Sequence, residues 1–131
     1  MPTWNEIQEY ARSKYKLQND EENHFNLVWS YEDGRSQLVS VTRFTIGDND
    51  EEWVEFMSVV GPGDCMPHNV ALKKNASFVT GALAIDDDGD LIMRHNAPLA
   101  SLDPNEFERP LRAVASTADS LEEDYTGKDE Y

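Results

Sequence analysis

The sequence predicts an α+β fold in the order α-β-β-β-α-β-β-α, with a twisted, mainly antiparallel sheet packed with helices. Three observations predict it. Apolar residues recur at three- and four-residue steps near both ends of the chain, as on an amphipathic helix. Through the middle, β-branched and aromatic residues alternate with polar ones, and Asp- and Gly-rich turns divide the alternating stretches. A short helical stretch behind Gly61-Pro62-Gly63 splits the strands into a group of three and a pair. The 131 residues suit one domain, 1–131, with an acidic tail over about 126–131.

Each element has a local cause. Thr3-Trp4-Asn5-Glu6 is a capping box, in which the Thr3 hydroxyl takes the Glu6 amide and Glu6 reaches back. Behind it Trp4, Ile7, Ala11 and Tyr15 form one apolar stripe, a helix over about 3–15, which the polar run QNDEEN ends. In HFNLVWSY, Phe25, Leu27, Trp29 and Tyr31 alternate with polar or smaller residues, as on a half-buried strand. Asp33-Gly34 then makes a hairpin turn into SQLVSVTRFTI, residues 36–46, and GDNDEE turns the chain again into a strand over about 52–60. These three strands form an antiparallel meander.

Gly61-Pro62-Gly63 breaks the pattern, and Pro67 stands where a first helical turn begins, so HNVALKKNA makes a short helix. SFVTGALAI (77–85) and LIMRH (91–95) read as a strand pair around DDDGD. Asp103-Pro104-Asn105-Glu106 opens the last helix with an N-cap and an early proline. Phe107, Leu111, Val114, Ala118, Leu121 and Tyr125 continue it to Gly127. Pro110 removes a bond to Glu106, so a kink or a later start is expected there.

Net charge is −15, with 11 Lys and Arg against 26 Asp and Glu. A surface of this sign repels phosphate backbones and anionic headgroups, which argues against nucleic acid and membrane as partners. The acidic residues concentrate in QNDEEN, GDNDEE and the tail, where charge runs are usually solvated surface. One cysteine, Cys65, rules out an intrachain disulfide framework. The opening MPTWNEIQEY has neither the basic nor the apolar region of a secretory signal, and no apolar run reaches the ~18 residues of a membrane span. A cytoplasmic protein is expected.

Four aspartates in AIDDDGDLIMRH invite a calcium loop. With Gly89 in the sixth position, the first falls on Ala84 and the twelfth on His95; starting at Asp86 puts Ala97 twelfth. Asp88-Gly89 as a hairpin turn between Ile85 and Leu91 needs none of this, and the turn is preferred. Cys65-x-x-His68 with His95 is an incomplete zinc set, so no metal or other cofactor is expected. The sequence has no G-x-S-x-G elbow, no Walker loop, no G-x-G-x-x-G and no C-x-x-C, and no nucleophile–base pair can be named. The reading is non-enzymatic.

What remains is apolar surface. Leu38, Phe44 and Ile46 oppose Val39 and Val41 on one strand, and Val54, Phe56 and Val60 oppose Trp53, Met57 and Val59 on another. In an antiparallel sheet one face normally meets water, so either helices cover both faces or a partner covers one. Trp29, Trp53, Phe56 and Met57 are the candidates for contact with another polypeptide, and an all-core reading of the same four is equally open. The alternative function is a small-molecule-binding regulatory domain with a pocket between sheet and helix, its opening lined by Cys65 and His68 with His95 nearby.

The chain also resembles the YbjN-like family, which shares its fold with the class I type III secretion chaperones. The resemblance rests on the early Trp of the opening helix, on Ala71–Asn75, Gly81–Ile85 and Asp88-Gly89, on Met93-Arg94-His95 with Pro98-Leu99 and Leu102-Asp103, and on Ala118-Asp119 with Leu121-Glu122. It implies helices on a twisted antiparallel sheet, a homodimer, and a chaperone-like or regulatory protein-binding role without catalytic residues. Pro110 departs from the uninterrupted last helix of that pattern.

Overall fold

The computed structural model describes residues 2–131. Its elements run α1 (Trp4–Lys14), β1 (Lys16–Gln18), β2 (His24–Ser30), β3 (Ser36–Ile46), β4 (Glu51–Pro62), α2 (His68–Asn75), β5 (Ala82–Ile85), β6 (Asp90–Pro98), a 3-10 turn (Leu99–Ser101) and α3 (Pro104–Thr126). The expected order stands, with one three-residue strand added. β1 pairs antiparallel with β2, Leu17 opposite Leu27. It is too short for a periodic signal of its own, and it is held in place by pairing with the strand that follows it.

The six strands form one sheet in the order β1-β2-β3-β4-β6-β5, antiparallel at every neighbour. Register assigns the faces. Phe25, Val41 and Phe56 lie in one row across β2, β3 and β4, with His95 of β6 next to Phe56. That face lies under α1 and α3. Trp4 of α1 stacks on Phe25 at 5.5 Å between centroids, and Phe107 of α3 meets Phe56 at 5.5 Å and Tyr10 edge-on at 6.3 Å. From α3, Phe107, Leu111, Val114, Ala115, Ala118 and Leu121 are all buried. At roughly 1.5–3 kcal/mol for each fully buried large side chain, this stripe does more for the helix than its intrinsic propensity.

The caps are as expected. Thr3 Oγ1 accepts from the Glu6 amide at 3.2 Å, Asp103 Oδ1 accepts from the Glu106 amide at 3.0 Å, and Gly127 closes α3 with φ 69°. Pro110 neither delays nor splits α3, which runs unbroken from Pro104 to Thr126. Only the Glu106 carbonyl loses a donor, and Glu106 is exposed, so water can serve it. The expected strand over 77–85 shrinks to Ala82–Ile85. Gly81 has φ 84°, which breaks the extended run, and the Val79 side chain stands fully in solvent. DDDGD is a turn: Gly89 has φ 84°, and the amides of Asp88 and Asp90 both donate to Asp86 Oδ1.

Glu108 ties the two covering helices together. It accepts hydrogen bonds from Lys14 Nζ and the Tyr10 hydroxyl, and these hold its carboxyl below the usual range. A carboxylate with a lowered folded pKa stabilises above its unfolded value, near 4.5, and that contribution disappears as pH falls through the folded value. Glu108→Gln should therefore flatten the fall of melting temperature with acid below that pH, which a series of melts at stepped pH will measure.

Candidate protein-binding surfaces

The strand positions alternate, so the residues opposite the helices make a second face. It carries Val28 of β2, Leu38 and Phe44 of β3, and Trp53, Met57 and Val59 of β4, all partly exposed, with Ile92 of β6 buried among them. None of the helices covers it: α1 and α3 lie on the opposite face and α2 flanks the outer edge at β5, where Asn75 bonds the backbone of Leu83. The expectation of apolar residues on both faces holds. The coverage is one-sided.

This geometry divides the four contact candidates. Trp53 and Met57 lie on the open face, Trp53 donating its Nε1–H to Glu51 at 2.7 Å. Trp29 belongs to the helix face and packs its ring against Tyr15 at 5.6 Å. Phe56 is 0 % exposed. It is a core residue, and its selection as a contact is corrected by register: it sits one position from Met57, on the side α3 seals. Sequence reading places Val59 beside Trp53 and Met57 but leaves out Val28, which the period-two pattern of Phe25 and Leu27 puts on the same open face.

The three pocket candidates do not converge. His68 is exposed, its Nε2 3.0 Å from the Gly63 carbonyl. Cys65 is packed beside Gly61 near the end of α3, and burial pushes its thiol up. His95 lies beside Phe56 on the helix face, where burial lowers its pKa. β6 pairs with Gly61 at Leu91 and with Phe56 at His95, four residues farther on, or roughly 13 Å along an extended strand. The groove beside His68 is lined by Pro62, Gly63, Asp64, Ile85, Gly89 and Asp90 and includes neither Cys65 nor His95.

Two further features bear on partners. Of the four exposed large apolar side chains among the described residues, Leu72 (70 %), Val79 (101 %) and Ile85 (44 %) lie in or next to α2 and β5, while Ile46 (44 %) ends β3. Both sheet edges are guarded: β1 is three residues long with exposed Lys16 and Gln18, and on β5 the Asn75 side chain takes both the amide and the carbonyl of Leu83, at 2.7 and 3.2 Å. Guarded edges of this kind discourage strand addition. No helix among the described residues is long and apolar enough to cross a membrane.

No family model matches the chain, and no curated protein matches it by sequence. Solved structures do match it in shape. One is a chain from the structure of the HopA1–SchA chaperone–effector complex, with TM-score 0.63 and 14% identity over 89% of this chain and 90% of that one. Another is a chain from the heterodimeric ExoU–SpcU complex of the type III secretion system of Pseudomonas aeruginosa, with TM-score 0.59 and 17% identity over 93% and 99%. At these identities the likeness shows the fold: the chain shares the α+β architecture of these two chains.

Proposed function

We propose that this chain is a non-enzymatic, chaperone-like protein-binding molecule of YbjN-like type that works in the cytoplasm as a homodimer. The observation that carries the reading is the uncovered face of the sheet, where Trp53, Met57, Val28, Leu38 and Val59 remain partly exposed beside a fully formed core. Solvent-exposed apolar area of this kind, in a chain this acidic, is surface kept for a partner. The likeness to chains of chaperone–effector complexes supports a polypeptide as that partner. The negative coat keeps the open face soluble and steers basic segments toward it.

The homodimer is assigned to the α2–β5 corner. Leu72, Val79 and Ile85 are apolar and exposed there, and the guarded β5 edge favours side-chain packing over strand pairing. Two copies of a 14.9 kDa chain make a particle of twice that mass in light scattering. Leu72→Glu should halve the mass without changing the circular dichroism, because Leu72 is 70 % exposed in one subunit. A wild-type particle of single-chain mass at every concentration would overturn the dimer.

The partner face has its own test, suppression of aggregation of reduced insulin B chain. The wild-type protein should suppress it, and Met57→Glu should keep the mass and the melting temperature but lose the suppression. If Met57→Glu suppresses as well as wild type, the open face is not the binding surface.

A further inference from the structure

Between β3 and β4 the sheet forks. Their pairing runs from Ile46 opposite Glu51 to Ser40 opposite Met57 and stops there, so the first residues of β3 pair only with β2 and the last of β4 only with β6. Side chains replace the missing rungs. Gln37 Nε2 donates to Ser58 Oγ and to the Val59 carbonyl, both at 2.8 Å, and Ser58 Oγ donates to the Leu38 carbonyl at 2.7 Å. On the open face the fork leaves a cavity of about 300 Å³ whose apolar wall is Val28, Leu38, Met57 and Val59.

The chain's own last residues occupy the mouth of this cavity. Beyond Gly127, the Lys128 carbonyl accepts from Arg35 at 2.9 Å and the Asp129 carboxylate from the Ser36 amide at 3.2 Å. The amides of Glu130 and Tyr131 both donate to Glu122 Oε2, at 2.7 and 3.1 Å. The Leu38 amide, which would have served a β4 neighbour, donates to the Tyr131 carbonyl at 3.3 Å, and Tyr131 joins the cavity wall. Two buried acceptors at the fork, Gln37 Oε1 and Glu122 Oε1, find no hydrogen-bond donor, although Arg35 stands 3.7 Å from the latter.

We infer that the β3–β4 fork is a docking groove for an extended polypeptide segment that carries a large apolar or aromatic side chain, and that residues 128–131 are its built-in competitor. This rests on the protein-binding reading and adds where the segment docks and what controls access. The tail defines the occupant: an extended segment whose carbonyl accepts from the Leu38 amide while an aromatic residue stands at the cavity. The control lies at Arg35 and Glu122, which hold the tail by its backbone. A tethered competitor acts at an effective concentration of order millimolar, enough to exclude weak ligands and too little to exclude a good one.

The test compares the full chain with a chain ending at Gly127, which keeps the left-handed cap of α3. A double variant of the 131-residue chain, Asp129→Ala with Tyr131→Ala, loosens the tail if the shortened chain does not fold. The probes are bis-ANS fluorescence and capture of reduced insulin B chain. Removing or loosening the tail should raise both, capture by about five-fold or more, and adding Met57→Glu should cancel both gains. Equal capture by the full and the shortened chain overturns the competitor while leaving protein binding in place. A dye gain that survives Met57→Glu reports a loosened fold and overturns the groove. Absence of capture by every variant overturns the inference together with the protein-binding reading.

Discussion

Phe56→Ala is expected to lower the stability of the fold by about 3–5 kcal/mol, whereas Trp53→Ala, three positions away on the same strand, should cost about 1 kcal/mol or less. The contrast follows from position on the pleat. Phe56 is 0 % exposed and touches the rings of Phe107 and His95, so its removal leaves a cavity under α3 that rigid sheet and helix cannot close. Trp53 is partly exposed on the open face, opposite Phe44 and Pro98, and its one polar contact is with exposed Glu51. Chemical denaturation of the two variants side by side, read as midpoints at constant slope, measures the difference. Comparable losses would mean that the open face is covered in solution and that Trp53 is as much a core residue as Phe56.

Gly63→Ala is the second substitution with a large expected effect. A Cβ at Gly63 would stand 2.2 Å from the Gly89 carbonyl oxygen, and that obstacle is backbone, which cannot rotate away. The loop after β4 and the β5–β6 turn would have to separate, taking with them the end of the β4–β6 ladder at Pro62 opposite Asp90. Overpacking of this kind costs about 1–3 kcal/mol, and a backbone obstacle places Gly63 at the upper end. Gly89→Ala is the control: its Cβ would meet nothing within 4 Å, so only the left-handed φ of 84° is penalised, at about 1–2 kcal/mol. Thermal melts should rank Gly63→Ala below Gly89→Ala, and the reverse order would show that the two loops do not touch.

Much of the architecture was legible because its causes are local. The Thr3 and Asp103 caps, the Asp-Gly turns, the period-two strands and the closing stripe from Phe107 to Leu121 are properties of neighbouring residues, and each appears where those residues stand. The errors have local causes as well. The apolar run SFVTGALAI predicts a strand through Gly81, which instead takes a left-handed φ, and three-residue β1 has no pattern of its own. Pro110 leaves α3 continuous from Pro104 to Thr126, and the carbonyl without its donor belongs to Glu106, an exposed residue.

The open face was legible only as one of two possible faces. Val54, Phe56 and Val60 alternate with Trp53, Met57 and Val59, and both sets are apolar, so a strand buried on either side would read the same way. Chain periodicity determined which residues share a face, since successive side chains on a pleat must point opposite ways. Tertiary structure decided which face is sealed, because α1 and α3 bury their stripes on the same side and leave none for the other. It alone also brought Arg35 and Glu122, eighty-seven positions apart, to the mouth of one fork, since no spacing along the chain encodes a gap between two strands.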